Sequence, residues 1–255
     1  MSDMESHAKL SSAEEVLSLR TRYREEMNCQ IVHDSIHRRE GWTLSYLLDL
    51  GSGAVGFGSV AIGGPWKDKP TVFEFYVLPE QRTRAFDLFE NFLAASKARF
   101  FEIQSNDALL LVMLHTYGQN IASEKIVFHD KLTTALPPNG AILRRVTSEE
   151  EIRICLEQRQ GGGEWLLEVN GTVAGKGGIL FHYNRPYGDI YMEVNEPFRR
   201  RGLGSYFVQE LKRLCYEIGA IPGARCNPSN VASRQTLQRA GFVPVAHILN
   251  ASVGG

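Results

Sequence analysis

At 255 residues, with 43% hydrophobic and 22% charged side chains, the chain has the make-up of an ordinary soluble globular protein, long enough for one large or two medium domains. Lys+Arg 28 against Asp+Glu 29 leave a formal net charge of -1, which excludes global attraction to nucleic acid or an anionic membrane and makes any anion site a local one. Cys29, Cys155, Cys215 and Cys226 are too scattered for a zinc site or a disulfide scaffold and read as reduced, buried thiols.

Met1 to Leu10 lacks the basic start and apolar core of a signal peptide, and no apolar run approaches membrane-spanning length, so a cytoplasmic protein is expected. From Ser12 to about Met27 the pattern is helical, with Val16, Leu17, Leu19, Tyr23 and Met27 as its apolar stripe and Ser11 or Ser12 as cap. Strands follow at Trp42 to Asp49, Ala54 to Ile62 and Thr71 to Leu78, the first two flanking the hairpin signal Gly51-Ser52-Gly53. A helix is expected from Arg82 to about Lys97. His33, His37, Arg38 and Arg39 lack the further ligands a metal site needs, and no metal is expected.

Leu136-Pro137-Pro138-Asn139-Gly140 cannot continue a helix or a central strand, and the domain boundary is placed there, giving 1–136 and 137–255. The second half repeats the order of the first. Ala141 to Val146 is a strand, a short helix follows Ser148, and Trp165 to Val169 and Val173 to Phe181 flank the Asn170-Gly171 turn. Gly161-Gly162-Gly163 before Glu164 reads as a mobile loop or a long hairpin approach. Asp189 to Val194 is a strand, and Leu203 to Ile218 a helix whose apolar face is Leu203, Tyr206, Phe207, Leu211, Leu214, Cys215 and Ile218. After a strand around Ala224 to Cys226, Asn227 caps a last helix with Pro228 at its first position, and that helix ends at Gly241. The halves echo each other in detail, Ser105-Asn106 matching Ser229-Asn230, so an internal duplication is expected.

Between the strand ending at Val194 and the helix starting at Leu203 lies Arg199-Arg200-Arg201-Gly202-Leu203-Gly204-Ser205. Two glycines let backbone approach an anion, the helix start turns unpaired N–H groups and a positive dipole end to the same spot, and three arginines add fixed charge. This is the pattern of a pyrophosphate site. The first half reads Pro79-Glu80-Gln81-Arg82-Thr83-Arg84-Ala85-Phe86-Asp87 at this point, without glycine and with a carboxylate, and should not bind an anion.

On these residues the second half resembles the GNAT superfamily of N-acetyltransferases. Its loop pattern Gln/Arg-x-x-Gly-x-Gly/Ala is met by Arg199, Gly202 and Gly204, and a later helix by Asn230, Ser233, Leu237, Ala240, Gly241 and Phe242. The likeness covers about residues 141 to 250 well and the first half through the order of elements alone. It implies two tandem GNAT-like α/β domains, each a mixed, mostly antiparallel twisted sheet flanked by helices, the first a degenerate scaffold or acceptor-groove wall. It also implies acetyl-CoA as acyl donor, held by Val194, Asn195, Glu196, Arg199, Arg200, Arg201, Gly202, Leu203, Gly204, Ser205, Asn230 and Ser233.

Strand alternation puts Tyr191 and Glu193 on one face, opposite Ile190, Met192 and Val194, with Glu193 the first choice of base, through water or directly, and Asp189 the second. His182 and Tyr183 line the acceptor pocket or belong to a surface loop. Many family members carry a Tyr where this chain has Leu237, which leaves solvent, Tyr206 or no dedicated group as the acid. The expected function is N-acetyl transfer to a primary amine of a small molecule or peptide by a monomer or homodimer. The alternative is a non-catalytic acyl-CoA-binding regulatory module.

Overall fold

The structure is a computed structural model that describes residues 6–31, 34–51, 53–146 and 165–254. The helix expected after Ser148, Cys155, His33, Ser52 and the run Gly161–Gly163 lie outside the described residues. Two compact units emerge, one formed by Met1–Lys125 with Ala246–Gly255 and the other by Ile126–Val245.

In the first unit β1 (His7–Ser11), β2 (Thr43–Asp49), β3 (Ala54–Ala61), β4 (Thr71–Val77) and β5 (Phe100–Gln104) lie side by side, and the last strand of the chain, β12 (Phe242–Val253), pairs with β5 through Ile248–Ser252. All neighbours are antiparallel except β4 and β5, which run parallel and pair only at Thr71 with Phe100 and Val72 with Phe101. α1 (Leu17–Met27) starts later than its periodicity suggests. Ser12 and Glu15 exchange side-chain-to-backbone bonds of 2.7 and 3.2 Å, a capping box over the turn that leads into it. Val16, Leu19 and Tyr23 are buried as expected, whereas Leu17 is exposed. After the short α2 (Asp34–His37), a 3-10 turn over Pro79–Arg84 leads into α3 (Ala85–Ser96), and α4 (Ala108–Tyr117) follows β5. Phe75 of β4 packs edge-on against Phe89 of α3, ring centres 4.7 Å apart, within a core that also holds Phe92 and Phe101.

In the second unit the order is β6 (Gly118–Asp130), β11 (Ile221–Cys226), β10 (Tyr187–Val194), β9 (Thr172–Leu180), β8 (Trp165–Val169) and β7 (Ala141–Arg145). β8 and β9 form the expected hairpin, with Asn170 at φ 50° and Gly171 at φ 73°. β10 and β11 are the parallel pair. α5 (Leu203–Glu217) buries Leu203, Phe207, Leu211, Leu214 and Cys215 against Ile190, Ile179 and Ala224, each large side chain contributing roughly 1.5–3 kcal/mol. Ile218, assigned to that face from sequence, is exposed at the helix end. Lys212, itself buried, binds the carbonyls of Leu132 (2.9 Å) and Ala240 (2.7 Å) and the carboxylate of Asp130 (2.6 Å), pinning α5 to the end of α6 (Val231–Arg239).

The chain passes from the first unit to the second after Lys125, inside β6, and returns after Val245, inside β12. Each unit thus completes its sheet with a strand from the other half of the sequence. The seam read at 136/137 was placed on the Pro-Pro-Asn-Gly turn, which is a loop within the second unit.

Candidate functional site

The second unit's parallel pair is short. Tyr187, Gly188 and Asp189 of β10 pair with Ile221, Pro222 and Gly223, and there the pairing stops, although β10 runs on to Val194 and β11 to Cys226. β10 stays bonded to β9 as far as Val194, while β11 turns its other edge to β6 through Gly223–Cys226. A wedge therefore opens between the two strands beyond Asp189.

The backbone facing that wedge can be identified. Asn195 N–H donates to Ala174 O at 2.8 Å, toward β9, so alternation turns the peptide groups of Glu193 and Tyr191 the same way and those of Met192 and Val194 into the wedge. The side chains of Met192 and Val194 face α5, since a Cβ built on Gly204 would lie 3.5 Å from Met192 Cε and 3.7 Å from Val194 Cγ2. Asp189, Tyr191 and Glu193 share the opposite face.

At the mouth of the wedge a 3-10 turn, Glu196–Phe198, leads into the arginine loop. Arg199 bends back so that its Nε donates to Val194 O at 2.9 Å, and Arg201 lies over the Phe198 ring at 5.6 Å. Asn139 Nδ2 donates to Arg201 O at 3.1 Å, a bracing contact that the sequence reading missed. Gly202 at φ 78° occupies the left-handed region that glycine tolerates at little cost. Among the described residues the N–H groups of Arg200 to Ser205 have no protein acceptor; the next, Tyr206 N–H, closes the first turn of α5 on Gly202 O. Six unspent donors, a helix start and three exposed arginines thus converge, and Glu196, Pro197 and Arg199–Arg201 line a pocket of about 570 Å³.

The remaining residues singled out from sequence lie around this loop. Asn195 also spends its side chain, Nδ2 on Val173 O at 2.8 Å. Asn230, not Asn227, caps α6: its Oδ1 accepts from Ser233 N–H at 3.0 Å, which uses both residues locally. Glu193 is exposed and Tyr191 half-buried, whereas Leu237 is buried in the core. Tyr206 is half-buried, its hydroxyl pushed up by burial and by Glu210. Asp189 has partners that the sequence did not reveal: its Oδ2 lies 3.0 Å from His182 Nε2 and 3.7 Å from Arg225 Nε. His182 and Tyr183 lie in the irregular segment between β9 and β10, His182 partly exposed and Tyr183 buried beneath the Arg225 guanidinium, 5.7 Å away.

The first unit repeats the frame with a different filling. Arg82 Nε donates to Val77 O at 3.1 Å, as Arg199 does to Val194 O. Yet Ala85 N–H is spent on Arg82 O, and Asp87 sits in the first turn of α3, paired with Arg84 at 2.7 Å. Tyr23 bridges the parted strands, its ring 5.8 Å from that of Tyr76 on β4 and its hydroxyl donating to Asp107 beyond β5 at 2.6 Å. Ile31 N–H donates to Gln104 Oε1 at 2.8 Å. Glu74, fully buried, accepts from Arg20 Nη2 at 2.8 Å and lies 2.9 Å from His37 Nε2, and against the cost of burial these two partners hold its carboxyl far below the usual carboxylate range. His37 is thus committed to a carboxylate. Among the described residues no group of three or more His, Cys, Asp or Glu side chains is placed to hold a metal, and no helix is long and apolar enough to cross a membrane.

Comparison with known proteins agrees with this geometry. The sequence model described as the acetyltransferase (GNAT) family matches residues 133–242. No curated protein matches the chain. Among solved structures, a GNAT-family acetyltransferase from Colwellia psychrerythraea superposes with a TM-score of 0.73 at 14% identity, over 96% of this chain and 99% of its own. A GCN5-related N-acetyltransferase from Sphaerobacter thermophilus gives 0.64 at 15% identity, over 98% and 96%. A tandem GNAT protein from the clavulanic acid biosynthesis pathway gives 0.61 at 14%, over 98% and 99%. The chain therefore shares the fold of these GNAT structures, and its residues 133–242 are similar to the GNAT acetyltransferase family.

Proposed function

We propose that the second unit binds acetyl-CoA and transfers its acetyl group to a primary amine of a small molecule or peptide. The observation that carries this reading is the set of unspent N–H groups at Arg200 to Ser205, placed at the mouth of a wedge whose wall offers the peptide groups of Met192 and the N–H of Val194. A diphosphate fits the first feature, and an extended amide-bearing arm fits the second. Holding the thioester still beside an amine can itself remove roughly 7–11 kcal/mol of the barrier, so fixing the donor is much of the catalyst. The first unit holds no cofactor in this reading, because its corresponding N–H is spent and Tyr23 bridges its parted strands.

A second reading, a non-catalytic acyl-CoA-binding module, is favoured by one observation: Leu237, at the position where relatives carry a thiol-protonating Tyr, is a core residue with no proton to give. Acetyl-CoA-dependent thiol release across dipeptides, lysine derivatives, polyamines, amino acids and aminoglycosides separates the two. Release that requires an amine supports the transferase. Binding without release supports the module, and absence of binding removes both.

A further inference from the structure

Asp189 is the last residue of β10 that pairs with β11, so it stands at the apex of the wedge. An acyl arm that enters at the loop and runs along Val194 and Met192 must end there, because beyond Asp189 the strands are hydrogen-bonded together. Five strand residues span about 16 Å, of the order of an extended pantetheine arm. Glu193 adjoins Val194, whose carbonyl Arg199 holds, and so stands at the diphosphate end rather than at the thioester.

The Asp189 side chain is 7% exposed, lies on the face away from α5, and touches His182, whose side chain is 31% exposed. His182 Nε2 lies 3.0 Å from Asp189 Oδ2, a contact that fixes where the ring sits. Arg225 Nη2 approaches the same nitrogen at 3.4 Å, so carboxylate and guanidinium together hold the ring. Among the described residues the charged and titratable groups recorded in contact with the ring are Asp189 from β10, Arg225 from β11 and Tyr183 from its own segment, 4.8 Å away ring to ring.

We propose that His182, oriented by Asp189, is the general base of acetyl transfer; this rests on the transferase reading above. The imidazole takes a proton from the acceptor ammonium, and the freed nitrogen pair forms a C–N bond to the thioester carbon while the carbonyl pair moves onto oxygen. When that pair returns, the C–S bond breaks and sulfur leaves with its electrons. The second nitrogen proton passes to that thiolate through water, and the imidazolium returns its own proton to solvent. Asp189 acts through His182 as a positioning residue.

The test uses the full-length chain, acetyl-CoA, and water, spermidine or glycinamide as acceptors, with thiol release followed across the pH range in which imidazole titrates. Wild-type kcat/KM is expected to fall on the acid side. His182→Gln should lower kcat/KM about 10²–10³-fold and abolish that acid limb while leaving the calorimetric affinity for CoA unchanged. Asp189→Asn should lower kcat more than it alters KM for acetyl-CoA. The proposal is overturned if His182→Gln and His182→Asn both keep the wild-type rate and limb, if Glu193→Gln removes the limb instead, or if acetyl-CoA binds without thiol release to any of these acceptors. A wild-type chain that fails to bind acetyl-CoA overturns the transferase reading itself, which CoA calorimetry detects separately.

Discussion

Replacing Gly202 separates the two properties that the loop combines. Its φ of 78° costs an L-residue about 1–2 kcal/mol, whereas a Cβ there would meet only Asn139 Nδ2, at 3.3 Å. Gly202→Ala is therefore a test of strain with little steric clash. Either the loop keeps its shape and the fold loses that amount, or it relaxes and CoA must restore it on binding; stability loss and affinity loss together should come to about 1–2 kcal/mol. Gly202→Asp adds a carboxylate beside the diphosphate. At about 5 Å and an effective dielectric constant of about 20, one such charge pair costs about 3 kcal/mol, so CoA affinity should drop by about a thousandfold in total. Calorimetric titration with CoA, with urea unfolding of each variant as the control for the fold, reads both quantities. If the Asp variant binds within about threefold of wild type, the diphosphate is not at this loop.

The first unit carries opposite pH dependences. Burial pushes the Asp107 carboxyl up to about 6 against Tyr23 and Leu110 contacts that favour its charge. A raised carboxyl binds its proton more tightly in the fold, so its stabilisation is present below about pH 4 and lost as pH rises through 6, about 3 kcal/mol in all. Glu74 has the reverse sign: its lowered carboxyl stabilises above about pH 4, and that is lost in acid. Stability of the first unit, followed by hydrogen exchange, should therefore rise from pH 7 to about 5, and Asp107→Asn should flatten the rise; an unchanged slope contradicts the assignment. Glu74→Gln leaves the buried Arg20 guanidinium with only the longer 3.6 Å contact to Asp34 and should cost about 3–5 kcal/mol in urea unfolding, a loss below about 1 kcal/mol being the contrary result. Arg199→Ala and Arg82→Ala remove the same back-bond from a strand end, yet only Arg199→Ala should weaken CoA, by about tenfold or more. Equal effects would remove the distinction between the units.

What was legible in the sequence is what local chemistry determines. Asn170-Gly171 specified a hairpin because few other residues tolerate its backbone angles, and alternation along β10 separated Tyr191 and Glu193 from the face that meets α5. The arginine loop was legible for the same reason. Long-range pairing was not. β6 was missed because Gly118 to Glu124 is polar and mostly exposed, without the alternation that marks a half-buried strand. The C-terminal strand completes the first unit through a register with β5 that no neighbouring residue announces. Asn227 and Asn230 are equally good caps by type, and the length of the turn after β11 chose between them. At the site, Arg225 escaped notice because only the pairing of Asp189 with Gly223 places it on the same face of the next strand. A signal was present in His182 near a strand end, but its partner is supplied by the sheet.

The most direct measurement is amide hydrogen exchange on the full-length chain with and without saturating CoA. The N–H groups of Arg200 to Ser205, which have no acceptor among the described residues, should exchange rapidly in the free protein and become protected on binding, whereas Thr83 to Asp87 of the first unit should not change. Protection that appears in the first unit, or none at Arg200 to Ser205 while CoA binds, would contradict the claim that this loop grips the diphosphate.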